Sequence, residues 1–214
     1  MAVITISREL GSLGTYIARQ TASVLACPLV DKTSIETILE RIKNKPEIDE
    51  KIIDAAYLNK KDLPNGEMIY LYDRVIHACA RWGDVVMLGR GSFAALAHFA
   101  DALHVRIQAP FDLRVQRLLA EASFTSQDEV EALIRESDQV RSDFIMNWYR
   151  VQWEAATNYH LVIDTGKIPP DMAVSWLAEE FNVLKGNQYP DRMVTSGIEV
   201  VEPIQTVVDD ILNG

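Results

Sequence analysis

The sequence predicts an α/β domain of three layers, a parallel β-sheet with helices on both faces. Short runs of nearly continuous apolar, often β-branched residues recur along the chain, as at 3–7 and 85–88, and read as buried strands. Between them lie longer stretches with apolar residues at helical spacing, and glycine-bearing loops follow the first and third runs.

In order, 3–7 is the first strand, and 15–25 a helix carrying Ile17, Ala18, Ala22 and Leu25 on one face, stopped by Cys27 and Pro28. A brief strand at 29–31 precedes helices over 33–43 and 47–58, the latter with Pro46 at its start. A polar loop spans 59–65 and a long helix 67–81. The strand at 85–88 ends on Gly89, Arg90 and Gly91, and Ser92 suits an N-cap for a helix reaching about Phe99. A strand at 104–109, a helix at 110–120, a charged helical region at 126–156, a strand at 159–164 and a helix at 169–181 complete the alternation. From Lys185 onward the chain changes character. Gly186, Pro190 and Gly197 suggest a linker, followed by a short strand at 198–201 and an amphipathic helix at 203–212. The expected organisation is one domain over 1–185 and a C-terminal extension over 186–214 that could serve a homodimer.

Hydrophobic residues make up 48% of the 214, enough for a sizeable core. The formal net charge of -10 argues against a nucleic-acid partner, because phosphate backbones are held by basic surface, yet a few arginines in one cleft could still gather a small anion. Cys27 and Cys79 stand apart with no metal-ligand spacing, which suits a reduced compartment. The chain opens on a strand rather than a charged leader, and no apolar stretch approaches membrane-span length, so a cytoplasmic protein with no membrane partner is expected.

The first loop holds the most chemistry. It runs Ser7, Arg8, Glu9, Leu10, Gly11, Ser12, Leu13, Gly14, Thr15, directly into a helix. Backbone N–H groups at a helix start and glycines that admit close approach make a natural phosphate cradle. The pattern departs from G-x-x-x-x-G-K-[ST], whose lysine reaches the phosphates, for Gly14 stands at the lysine position. Thr15 could supply the Mg²⁺-side hydroxyl, and Arg8 or Arg19 the missing cation. Taken alone, the loop is either such a cradle or a strand–helix turn whose glycines merely pack tightly.

Ile6 to Gly14, followed by Ile17-Ala18-Arg19, resembles the opening of the cytidylate kinase-like family, which reads I-S-R-E-x-G-S-G-G and then I-A-R. Leu29-Val30-Asp31-Lys32, Val86 to Gly91, His104 to Pro110 with Arg114, Asp138 with Arg141, and Tyr159 to Thr165 resemble later segments of that family, in order, over about residues 3–182. The resemblance implies the P-loop nucleotide-kinase type of fold, with a helical lid over about 123–156. It implies transfer of the ATP γ-phosphoryl group to a nucleoside monophosphate, CMP or dCMP above all, with Mg²⁺. It implies that Arg8, Gly11, Ser12, Leu13, Gly14 and Thr15 hold the donor, with Thr15 near the metal. It further implies that Arg90, Asp138 and Arg141 act in catalysis and acceptor binding, joined on the acceptor side by Asp31. An aspartate that reads cytosine in cytidylate kinases is replaced by Gly91, and an arginine of the second helix falls near Thr37.

Each residue also has a plainer reading. Arg90 could be a surface arginine after a strand, Asp138 and Arg141 a solvated ion pair, and Asp31 a polar residue at a helix start. Arg106, mid-strand in an apolar run, marks a structural ion pair or a cleft floor. Trp148, Tyr149 and Trp153 suit core packing, and the four scattered histidines form no ligand pattern. A second function class fits as well: a nucleotide-binding regulatory module on a kinase fold without turnover.

Overall fold

The computed structural model describes residues 1–44, 66–121, 124 and 126–213, with backbone alone at 66–70. The helix expected at 47–58 and the loop at 59–65 lie outside the described residues.

Five strands form one sheet: β1 (Val3–Arg8), β2 (Leu29–Val30), β3 (Val85–Leu88), β4 (Ala102–Gln108) and β5 (Leu161–Asp164). Their spatial order is β2-β3-β1-β4-β5, with every pairing parallel. The helices are α1 (Gly14–Val24), α2 (Lys32–Lys43), α3 (Gly66–Trp82), α4 (Ser92–Ala95), α5 (Phe111–Ala120), α6 (Gln127–Tyr149), α7 (Pro170–Gly186) and α8 (Glu202–Leu212).

Alternation along each strand assigns its side chains to two faces. Ile4, Ile6, Val86, Leu88, Leu103, Val105 and Ile107 point to the face covered by α1 and α7, where Ile17, Ala18, Leu177 and Phe181 meet them. Val3, Val85, Met87 and Ala102 point the other way, into a core built from α2, α3 and α8. Thr5, Ser7, His104 and Arg106 continue that second face, and register sets Thr5 beside His104 and Ser7 beside Arg106. This polar row is buried, so each member needs a partner. Thr5 Oγ1 and His104 Nδ1 meet at 2.9 Å, and Ser7 Oγ accepts from Trp153 Nε1 at 2.6 Å.

Burial, with the stacked His160 ring beside it, pushes His104 down to about 4. The unfolded chain would bind a proton near pH 6.5 that the fold refuses until about pH 4. Stability therefore falls with acidification across that window, by about 2 kcal/mol between pH 7.5 and 5 for this group. Urea unfolding of wild type and His104→Asn at the two pH values should show this difference shrinking in the variant, whose amide still partners Thr5.

Several expectations shift at the ends of elements. The segment expected as a strand at 198–201 pairs with nothing among the described residues. Ile198, Val200 and Val201 bury their side chains against the α2–α3–α8 core without a ladder. Ser92 is not an N-cap. Gly91 holds that position, Ser92 Oγ donates back to the Gly89 carbonyl at 3.0 Å, and the helix closes after one turn. The charged helix stops at Tyr149 because Arg150 adopts a left-handed conformation (φ 58°), short of the expected 156. At its other end Ser126 caps it, accepting from Glu129 N at 3.1 Å. Asp101 anchors the C-terminal segment: its carboxylate, 2% exposed, accepts from Thr195 N and from Thr195 Oγ1 at 2.7 Å.

Candidate active site

The loops after β1 and β3 open on one side of the sheet at its carboxyl edge, the crevice where such sheets place ligands. A cleft of about 520 Å³ lies there. Its floor is Ile6, Ser7 and Leu88, its rim Gly89 to Phe93, and its far wall one side of α6, from Leu133 to Ile145.

Three guanidinium groups, of Arg8, Arg90 and Arg141, line this cleft. Among the described residues Arg90 reaches only Glu36, at 3.5 Å. Arg141 donates to the Ser137 carbonyl at 3.0 Å and stands 3.6 Å from Asp138. Arg8 has no ion pair or side-chain hydrogen bond among the described residues. Burial foremost, then the charges of Arg141 and Arg90, pushes Arg8 down to about 10, opposed only by Asp31. Arg141 is likewise lowered, by burial and by Arg114, with Asp138 acting against them. Arg8, gathered with two other cations and lacking a carboxylate partner of its own among the described residues, is raised in free energy by them, and an anion entering beside it relieves that cost.

The loop itself is held from behind. Glu9 binds Arg106 Nη2 at 3.0 Å, stands 3.5 Å from Arg114 Nε and accepts from Ala109 N at 3.2 Å. Arg114 continues to Asp138 at 2.5 Å and to the Leu10 carbonyl, and Asp138 accepts from Leu10 N at 3.2 Å. Arg117 donates to the Gly11 carbonyl and to Thr165 Oγ1, which donates in turn to the Ser12 carbonyl at 2.9 Å. Loop carbonyls are thus tied away. The N–H groups of Gly11, Leu13, Gly14 and Thr15 find no acceptor among the described residues. Leu13 at the N-cap of α1 is left-handed (φ 64°), a conformation that costs a side-chain-bearing residue about 1–2 kcal/mol.

The expected residues fall into three groups. Arg8, Arg90 and Arg141 share the cleft. Gly11, Ser12, Leu13, Gly14 and Thr15 form the turn into α1 but do not line the cleft. Ser12 is buried, its hydroxyl donating to the Glu9 carbonyl at 2.8 Å, while Thr15 is exposed. Asp138 faces the loop and Arg114, joining α6 to it, and Asp31 closes a capping box with Ser34 while its charge acts on Arg8. Arg19 is exposed on α1, away from the cleft. The sequence reading missed the Glu9 hub and the Arg117 clamp. The signal for the hub is Arg106, a charge inside an apolar strand that needed a carboxylate nearby; Arg117 binds loop carbonyls and Thr165 and had no such signal.

The chain matches the cytidylate kinase-like family over residues 3–167. It belongs to that family. Relatives include the cytidylate kinase of Pyrobaculum neutrophilum, 26% identical over 81% of this chain and 89% of that one, and the cytidylate kinase of Pyrobaculum islandicum, 25% identical over the same shares. Among solved structures, an uncharacterised protein from Eubacterium ventriosum superposes with a TM-score of 0.69 at 18% identity, over 85% of this chain and 98% of that one. The sheet order and the helices on both faces give this cytidylate kinase-like chain the P-loop nucleotide-kinase fold. No helix among the described residues is long and apolar enough to cross a membrane.

Within this family member the rim carries its own feature. A Cβ at Gly91 would collide with the Tyr149 ring, and Tyr149 OH donates to Asp73 at 2.7 Å. The φ of +75° at Gly91 favours glycine as well. An aromatic ring from the end of α6 thus fills the space that an aspartate at 91 would need.

Proposed function

We propose that the protein transfers the γ-phosphoryl group of ATP to a nucleoside monophosphate, CMP or dCMP being the first acceptors to test. The convergence of Arg8, Arg90 and Arg141 on one cleft beside the loop into α1 carries this reading. Phosphoryl transfer is mostly positioning and charge stabilisation, and these residues supply both.

In this reading the free N–H groups of Gly11, Leu13, Gly14 and Thr15 take the donor phosphates at the positive end of α1. Arg90 and Arg141 take the acceptor phosphate, the planar fork of each suiting two oxygens of one group. An oxygen of the acceptor phosphate then bonds to the γ-phosphorus. The bond from that phosphorus to the β–γ bridging oxygen breaks, its electron pair stays on that oxygen, and ADP leaves. Glu9, Arg114 and Asp138 hold loop and α6 in register while this happens. Among the described residues no three His, Cys, Asp or Glu side chains gather as a metal site. Mg²⁺ is commonly held by substrate phosphates and water with few protein ligands, and in this reading Thr15 would offer the hydroxyl. When bound, Mg²⁺ would neutralise charge building on the bridging oxygens.

With Gly91 in place of the aspartate and Tyr149 over it, selectivity for cytosine is expected to be shallow. A coupled ADP-release assay over CMP, dCMP, UMP, AMP and GMP tests the proposal. ADP release should depend on an added monophosphate and should lose about a hundredfold in kcat/KM in Arg90→Ala. ATP binding with no monophosphate-dependent release would mark a nucleotide-binding module instead.

A further inference from the structure

The loop does not simply lack a lysine. Setting Thr15 at the hydroxyl position of G-x-x-x-x-G-K-[ST] places the first glycine at residue 8, the second at 13 and the lysine at 14. The chain has Arg8, Leu13 and Gly14 there. Leu13 keeps a left-handed backbone where the pattern has glycine. At positions 8 and 14 the cation and the glycine have changed places.

The structure shows why one exchange requires the other. A Cβ added to Gly14 would collide with Arg8 Cβ, and it would lie 3.0 Å from Arg8 Cγ and 3.1 Å from Ile107 Cβ. The stem of Arg8 therefore occupies the space where a side chain at 14 would begin. Its head passes across to the rim of the cleft, where Nη1 lies against Gly89 so closely that a Cβ there would collide with it. Arg8 thus runs from the first turn of α1 to the loop after β3, between the expected donor and acceptor sites. Its guanidinium has no carboxylate partner among the described residues and shares the cleft with Arg90 and Arg141.

We infer that Arg8 supplies the cation that the loop lysine supplies elsewhere, delivered from the end of a strand rather than the start of a helix. This deepens the phosphoryl-transfer reading and rests on it. Arg8 then contacts the β- and γ-phosphates and follows negative charge toward the bridging oxygen, donating hydrogen bonds but no proton. As a fork between two sites it can touch both the group transferred and the acceptor phosphate, which a point-charge ammonium does less well.

The test is calorimetric titration of the full chain with ATP and with AMP, each with Mg²⁺. Wild type should bind ATP more tightly than AMP. Arg8→Met, which keeps the apolar stem, should weaken ATP about tenfold or more while AMP changes less than about twofold. Arg8→Lys should stay within about threefold of wild type for ATP. Arg8→Gly/Gly14→Lys should regain most of the lost preference for ATP, whereas Gly14→Lys alone should not improve it. A folded Arg8→Met that keeps its ATP affinity, or that loses ATP and AMP equally, overturns the assignment. Wild type binding no ATP at all would instead remove the phosphoryl-transfer reading beneath it.

Discussion

Glu9→Ala is expected to cost about 3–5 kcal/mol of folding stability, because it removes the carboxylate between two buried arginines and leaves Arg106 with none. Arg106 and Arg114 have side chains 4% and 9% exposed, and Glu9, at 16%, is the carboxylate between them. Among the described residues Arg106 then keeps the Trp153 carbonyl and the faces of the Trp153 and Tyr159 rings, with no carboxylate. Arg114 keeps Asp138, yet its Nε already makes no hydrogen bond, and its approach to Glu9 is what offsets that. Ala109 N loses its acceptor too. Glu9→Gln should cost less, since an amide oxygen still accepts from Ala109 N. Urea unfolding monitored by far-UV circular dichroism gives both values, and a Glu9→Ala cost below about 1 kcal/mol would show that the hub is not what holds the loop.

Trp153→Ala is the second large effect, about 3–5 kcal/mol for a buried tryptophan that collapses poorly. Trp153 is 3% exposed and packs with Phe93, Ile145 and Tyr159 between the sheet and α6. Its indole N–H donates to Ser7, and the Arg106 guanidinium lies 4.2 Å over its ring. Removing it therefore opens a cavity, frees Ser7 at the cleft floor and uncovers Arg106. Trp153→Phe keeps much of the volume and should recover more than half of the loss. Unfolding of both variants in urea checks the order, and equal costs for Phe and Ala would mean that packing volume is not the source.

Much of the scaffold was legible because four of the five strands are mostly apolar runs of four to seven residues. The loop that follows Arg8 and the loop that carries Arg90 were legible for a related reason: glycine interrupts a strand only where backbone must turn or approach something. Elements that depend on a distant partner were not. The segment 198–201 carries strand-like alternation, but no strand edge meets it and its apolar side chains settle on helices instead. Glu9 looked like one letter of a motif, since its partners Arg106 and Arg114 are about a hundred residues away and join it only through the pairing of β1 with β4. Arg106 as a structural ion pair follows from its place in an apolar strand, and the loop pattern left Arg8 and Arg19 both open as the missing cation; only the fold brings the Arg8 stem against Gly14.

Every residue lining the cleft lies between Ile6 and Trp153, and the family pattern ends at 167. The chain nevertheless continues into α8, whose Ile204, Val207 and Val208 cover Ile35, Ile38 and Val75 on the underside of the sheet. The segment that would perform the chemistry is therefore shorter than the segment that must fold. A version trimmed to the shared pattern would retain every arginine of the cleft and still expose an oily flank to water, so the tail acts as the keel of this domain rather than an ornament on it.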